Sequence, residues 1–348
     1  MKSAELFAGY GGLALAVEAA LGAETTWVTE WEDEPSRILS HHWPEAPNHR
    51  DVTTIDWNAV EPVDIISGGS PCQDISQAGK RDGMVEGTRS NLWVSMREAI
   101  AAIRPRLVVW ENVRGAYSAR AFSDMEPCQG CLGAGGGGKP VLRALGRVLG
   151  DLASLGYDAQ WRGLRASDVG APHQRYRVFV LAHRPDAFRF RWDQRPEETG
   201  PCMGLRESGD AERLGRRDRG GSAADALLPT PRSSQGASSS ETVKLPPKTT
   251  DAPRGTSDAE RMFGLYAPLI TRWERVTGHP APDPLVAGVR GGWRLSPHFT
   301  EWMMGLPPGW VTDRGLSQAS ELRMLGNGVV PQQATTALMS MAANITNH

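Results

Sequence analysis

An α/β fold built on a doubly wound sheet is what this sequence predicts, and three observations predict it. Short apolar runs alternate with helical patterns through the first 184 residues, as strands joined by crossover helices do. The first run closes in a glycine-rich turn, Phe7-Ala8-Gly9-Tyr10-Gly11-Gly12, that opens a helix. Residues with chemical capacity, Glu30, Cys72 and Glu111, fall at or just past the ends of later runs, and ligands bind beyond the carboxyl ends of the strands in such sheets.

Strands are expected at Ser3–Phe7, Thr25–Glu30, Asp64–Gly68, Leu107–Glu111, Asp158–Leu164 and Arg177–Ala182. Helices are expected at Gly12–Leu21, Pro35–His42, Asn91–Ile103 and Val141–Leu155. The apolar run Val63–Ser67 leads into Gly68-Gly69-Ser70 and then Pro71-Cys72-Gln73. The run Leu107–Trp110 ends in Glu111-Asn112-Val113. Beyond residue 184 the pattern is lost. Residues 208–258 are rich in Ser, Gly, Arg, Thr and Pro, a composition that cannot bury a core and predicts a disordered linker. Order returns from Met262, with aromatics at Phe263, Tyr266, Trp273 and Trp293, and the chain closes in a helix, Val330–Ile345, after a glycine turn. No internal repeat is present.

Composition sets outer bounds. With 348 residues, 40% of them hydrophobic, the chain has room for one large domain or a large and a small one. No apolar run approaches the length of a membrane span, and the start, Met1-Lys2-Ser3-Ala4-Glu5-Leu6-Phe7, enters a strand with no signal-peptide apolar region. Four cysteines, Cys72, Cys128, Cys131 and Cys202, are too few for a disulfide scaffold, and a free nucleophilic thiol suits a cytoplasmic location. A net charge of -2 argues mildly against a nucleic-acid partner, although local distribution outweighs the sum. Only five of the 38 basic residues are Lys; a GC-rich coding sequence accounts for that, and so would bidentate reading of guanine and phosphate by Arg. The pair Cys128 and Cys131 is half of a zinc module, but structural zinc needs four ligands. It is read as a glycine-rich loop with incidental cysteines, and no metal is expected.

A strand-end cysteine and a strand-end glutamate are what attack on a pyrimidine ring requires. One adds to a ring carbon and the other donates a proton toward a ring nitrogen. Taken in order, Phe7–Gly12, Gly69–Gln73, Glu111–Val113, Gln174–Val180 and Gly326-Asn327-Gly328-Val329-Val330-Pro331 resemble the sequence blocks of the DNA (cytosine-5) methyltransferases, and the resemblance spans nearly the whole chain. It implies a Rossmann-like, S-adenosylmethionine-dependent methyltransferase sheet with a smaller target-recognition domain. The implied division is a catalytic and cofactor-binding domain at 1–184, completed by 320–348, and a target-recognition region at 185–310, with 311–348 returning to the first domain.

The resemblance assigns roles residue by residue. Cys72 is the nucleophile, Glu111 the group at the base N3, Arg177 the partner of the base O2, and Arg175 its companion. S-adenosylmethionine is met by Phe7, Ala8, Gly9, Gly11 and Gly12. Glu30 can accept both ribose hydroxyls, and Trp31 can lie against the adenine. Asp51, with Val52 beside it, faces the adenine amino group, while Leu92 and Asn327 complete the site. A base inside a duplex cannot meet Cys72 and Glu111 from both sides, so it must be flipped out. The loop after the cysteine carries Gln73, Ser76, Lys80, Arg81 and Arg89, which are placed on the DNA. Arg294 and Glu301 are the organisers expected in the recognition region. Double-stranded DNA is the implied partner of a monomer, with a cognate restriction endonuclease as a further partner. Two other readings stay open. An RNA cytosine-5 methyltransferase of the same fold is disfavoured by the long variable region. A catalytically silent DNA-binding homologue is disfavoured by the intact Cys72, Glu111 and Arg177.

Overall fold

The structure is a computed structural model, and it describes residues 1–69, 92–118, 120–121, 142–185, 262–288 and 291–346. Cys72, Gln73, Ser76, Lys80, Arg81 and Arg89 lie outside the described residues, as do Cys128, Cys131, Cys202 and the stretch 208–258.

Six strands form the central sheet. They are β1 (Lys2–Leu6), β2 (Glu24–Thr29), β3 (Ile65–Gly68), β4 (Leu107–Val113), β7 (Asp158–Arg165) and β8 (Tyr176–His183), in the order β2-β1-β3-β4-β8-β7. The pairs among β1 to β4 are parallel; β8 runs antiparallel to both β4 and β7. The chain leaves β1 to one side for β2 and crosses to the other side for β3. That reversal makes a switch point between β1 and β3, where open α/β sheets bind ligands. Two short pairs, β5 (Arg120–Ala121) with β6 (Leu142–Arg143) and β9 (Leu285–Ala287) with β10 (Trp293–Leu295), stand apart from this sheet.

The helices follow from the apolar pattern on both faces. Strand residues alternate sides, so β4 sends Val108 and Trp110 one way and Leu107 and Val109 the other. On the first face α3 (Trp93–Ile103) and α4 (Ala144–Ser154) bury Trp93, Met96, Ile100, Val148 and Leu152. On the second face α1 (Gly12–Leu21) packs beside the last helix, α8 (Pro331–Thr346), through Leu13, Val17, Leu338 and Met341. A third core lies under α2 (Asp33–His42), α5 (Ala267–Thr277), α6 (Pro297–Met303) and α7 (Gln318–Asn327). It gathers Trp273, Phe299, Trp302, Val311 and Leu325 around Tyr10 and Ile38. The residues after 262 therefore join the first domain through both the second and the third core.

Several boundaries differ from expectation for local reasons. The helix expected at Val141 starts at Ala144, because Leu142 and Arg143 pair as a strand with Arg120 and Ala121. The helix expected at Asn91 starts at Trp93, with Leu92 capping it. Before Asp51 the chain meets β2 through an isolated parallel bridge, Val28 with Asn48. Among the described residues, no helix is long and apolar enough to cross a membrane, and no group of three or more His, Cys, Asp or Glu could hold a metal ion.

Candidate active site and cofactor cleft

The candidate cofactor site begins where β1 ends. Phe7 and Gly9 take left-handed backbone, φ 57° and 56°, and Gly11 follows at φ 82°. A side chain on Gly11 would also overlap the Trp43 ring, so the chain can turn here only because Cβ is missing. The turn delivers Gly12 as the first residue of α1. Its backbone is held from β2: Ala8 N–H donates to Thr29 O at 3.1 Å, and Phe7 N–H to Thr29 Oγ1 at 3.2 Å.

Glu30 fastens the turn to the end of β2. Its Oε2 accepts from Gly9 N–H at 2.8 Å and its Oε1 from Glu32 N–H at 2.8 Å. Burial raises its pKa, with the Glu32 and Gly9 amides opposing that shift. Trp31, the next residue, is 67% exposed. Asp51 is drawn into a local turn, accepting from Thr53 N–H at 2.9 Å and Thr53 Oγ1 at 2.8 Å; those bonds hold its carboxyl below the ordinary range. Val52 is buried in the first-face core, against which Leu92 packs. Asn327 ends α7 in an exposed position. The turn, the paired backbone bonds to Glu30 and the open indole face fit an adenosyl cofactor.

The acid lies at the end of β4. Glu111 is 8% exposed, and its Oε1 stands 2.8 Å from Arg177 Nε. Strand register places these residues on one face, since Val113 pairs with Arg177 and Glu111 with Phe179. Burial pushes the Glu111 pKa up, while Arg177 and then Arg175 pull it down; the net direction is up. A Cβ on Gly69 would lie 2.8 Å from Glu111 Oε2, so the chain leaving β3 passes directly over this carboxyl. Cys72 follows Gly69 by three residues.

Arg175 is engaged differently from its companion. Its Nη1 donates to Gly326 O at 2.9 Å and its Nη2 to Gly328 O. It ties the start of β8 to the turn that carries Asn327. Glu301 is 2% exposed and accepts from Gly309 N–H, Val311 N–H, Thr312 N–H and Thr312 Oγ1, so it organises the loop after α6. Arg294 lies on β10 with its side chain along Gly288.

Three further contributors lack a sequence motif of their own. Glu5, fully buried in β1, accepts from Ala14 N–H at 2.9 Å and so caps the start of α1. Its signal is a carboxylate between Ala4 and Leu6. Tyr10 is 1% exposed. Its hydroxyl donates to Val329 O at 2.6 Å and its carbonyl accepts from Trp310 Nε1 at 2.9 Å. A side chain on Gly328 would overlap the Tyr10 ring, so the late glycine turn is shaped around it. Trp310 also stacks on His42, with centroids 3.4 Å apart and planes 4° from parallel.

A doubly wound sheet with a glycine turn at its switch point and a buried acid–arginine pair near it is a Rossmann-like architecture. Residues 1–207 match the profile of the family described as C-5 cytosine-specific DNA methylase, and the chain belongs to that family. It is 28% identical over 194 residues to the type II methyltransferase M.NlaIV of Neisseria lactamica, a match covering 53% of this chain and 43% of that protein. It is 28% identical over 310 residues to the type II methyltransferase M.NgoFVII of Neisseria gonorrhoeae, covering 86% of this chain and 73% of that one. The alignment thus takes in less than half of the first relative's length and most of the second's. Among solved structures, a putative DNA modification methyltransferase encoded within an Escherichia coli prophage superposes over all of both chains with a TM-score of 0.53 at 18% identity, a likeness of fold.

Proposed function

We propose that this protein transfers a methyl group from S-adenosylmethionine to C5 of cytosine in a specific duplex DNA sequence. The observation that carries the reading is the buried Glu111–Arg177 pair lying beneath Gly69, at the strand end from which Cys72 follows. C5 of cytosine is a poor nucleophile because the ring is aromatic and neutral. Addition of the Cys72 thiolate to C6 turns the ring into an enamine, whose C5 can attack an electrophilic methyl group. Glu111 holds the proton directed at N3. Burial is the leading influence on it and favours the neutral acid, which is the form that donates. Arg177, already beside Glu111, offers its remaining N–H groups to the charge that develops at O2. Release of the C5 proton and departure of Cys72 restore aromaticity.

The cofactor, held by the Phe7–Gly12 turn with Glu30 and Trp31, supplies the methyl group when bound. Glu30 fixes the turn through Gly9 N–H and is itself held by Glu32 N–H, and Arg175 fixes the Asn327 turn against β8. The target base is flipped to reach this site, with Gln73, Ser76, Lys80, Arg81 and Arg89 placed on the DNA. Sequence choice is assigned to residues 185–310. The relatives' type II names support a restriction–modification setting with a cognate endonuclease as partner.

The test is a covalent trap. Fluorine at C5 cannot leave as a cation, so duplex DNA bearing 5-fluorocytosine at the target should hold the enzyme once methyl transfer has occurred. The adduct should require S-adenosylmethionine, survive denaturing electrophoresis and map to Cys72. Cys72→Ser should abolish it, and Glu111→Gln should slow it severely while leaving cofactor binding intact. A cross-link on Cys128, Cys131 or Cys202 would refute the assignment. Methyl transfer to tRNA in place of DNA would refute the substrate.

A further inference from the structure

At the active end of the sheet, on the face of β8 opposite the Glu111–Arg177 pair, lies a second feature that the chemistry does not use. Successive strand residues point to opposite faces, so Tyr176 turns away from Arg177. Arg165 pairs with Tyr176 across the β7–β8 ladder, Gly163 with Val178 and Trp161 with Val180, which puts Trp161, Gly163, Arg165 and Tyr176 on one face. Gly163 leaves the room that Tyr176 and Tyr117 occupy, and the hydroxyls of Tyr117 and Tyr176 are hydrogen-bonded. The Arg114 guanidinium lies over the Tyr176 ring, 5.8 Å from its centroid. Arg143 Nη1 donates to Ser118 O at 2.6 Å, which brings a third cation to the same edge.

This surface faces solvent. Arg114, Arg143 and Arg165 are exposed, and Trp161 and Tyr117 are 52% and 38% exposed. Asp168, close by, engages the Arg165 backbone N–H at 2.8 Å. The chain as a whole carries a net charge of -2, yet residues 142–185 hold seven arginines against three aspartates. Positive charge is therefore concentrated beside the site. Arginines interleaved with flat aromatic side chains suit a phosphodiester backbone: the guanidinium forks bind phosphate, and the rings support them by cation–π contact.

We propose that Arg114, Arg143 and Arg165, braced by Tyr117, Trp161 and Tyr176, form a surface that grips the backbone of duplex DNA flanking the target cytosine. The inference rests on the duplex-DNA reading above. It adds a contact outside both the recognition region and the loop after Cys72, and one that carries no sequence information.

Salt-dependent binding of the full chain, with S-adenosylhomocysteine present, tests it. Fluorescence anisotropy is read on a long duplex centred on a sequence that the protein methylates and on a duplex trimmed close to the target. On the long duplex Arg114→Gln and Arg165→Gln should each lower the slope of log affinity against log salt by about 0.9. Between about 50 and 200 mM salt, each variant should then lose roughly three- to fourfold less affinity than the wild type. The trimmed duplex should be bound alike by variants and wild type, S-adenosylhomocysteine affinity should not change, and Arg165→Lys should restore the slope. A folded Arg114→Gln/Arg165→Gln double variant with wild-type slope and affinity on the long duplex overturns the proposal, as does an equal loss on the trimmed duplex. If the wild-type chain bound neither duplex, the DNA reading itself would fall and the flanking contact with it.

Discussion

Replacing Glu301 with glutamine isolates the contribution of one buried carboxylate to the link between the late segment and the cofactor turn. Oε1 accepts from Val311 N–H at 2.6 Å and Thr312 N–H at 2.9 Å; Oε2 accepts from Gly309 N–H at 2.8 Å and Thr312 Oγ1 at 2.8 Å. A glutamine can reproduce one of these oxygens. The cheaper arrangement keeps the oxygen on Val311 and Thr312 and turns the NH₂ toward Gly309, where the Thr312 hydroxyl can rotate to accept. One backbone N–H is then buried against a donor, at about 1–3 kcal/mol. The surviving bonds also lose their charge assistance, which roughly doubles the strength of a neutral bond. A total of about 2–4 kcal/mol follows, and Glu301→Ala, which strands all the donors, should cost more. The loop so loosened carries Trp310, whose indole holds the Tyr10 carbonyl. Loss of that bond, worth about 1 kcal/mol, should weaken S-adenosylmethionine binding roughly fivefold. Urea unfolding followed by tryptophan fluorescence gives the first number and calorimetric titration the second. An unchanged midpoint would refute the account of Glu301. Lost stability with wild-type cofactor affinity would refute the link through Trp310 and Tyr10.

Glu30→Ala removes the Gly9 N–H bond that fastens the turn and the local bond from Glu32 N–H, and should weaken S-adenosylmethionine binding by roughly 1.5–3 kcal/mol; unchanged affinity in a folded variant would take Glu30 out of the site. Glu5→Gln keeps an acceptor for Ala14 N–H but cannot ionise. Burial raises the Glu5 pKa well above its ordinary value, so the native state binds this proton more tightly than the unfolded chain. The stability it confers is present below the unfolded pKa and is lost as pH rises through the folded one. The melting temperature of Glu5→Gln relative to wild type should therefore climb as pH rises above the ordinary glutamate range, and a pH-independent difference would exclude the buried charge.

Much of this was legible because it is local. The alternation of runs and helices located all six central strands to within a residue or two at each end, since period and length are properties of short windows. Phe7–Gly12 announced its turn because left-handed backbone and close approach both demand glycine. Glu30 and Glu111 stood out as carboxylates that end strands; Glu30 proves half-buried and Glu111 buried, and burial raises the pKa of both. Asp51 was less legible. Whether an exposed turn carboxylate faces outward or bonds its own backbone depends on Thr53, two residues on, and competition of that kind is characteristic of short polar side chains.

What was not legible depends on segments far apart in the chain. Arg175 and Arg177 are two residues apart where β8 begins, so alternation cannot separate them. The structure does: Arg177 pairs with Glu111, whereas Arg175 is held by carbonyls more than 150 residues later. The same turn, Gly326–Val329, receives the Tyr10 hydroxyl, and the loop before it receives the Tyr10 carbonyl through Trp310. Tyr10 occupies a position inside the glycine turn where a small motif specifies no side chain. Here its ring fills the space that Gly12 and Gly328 leave open. The cofactor turn is thus pre-shaped by the end of the chain as much as by its own glycines, because a flexible backbone gains a defined geometry only when packing removes its freedom. For that reason the residues after 310 help to shape the turn proposed to hold the cofactor.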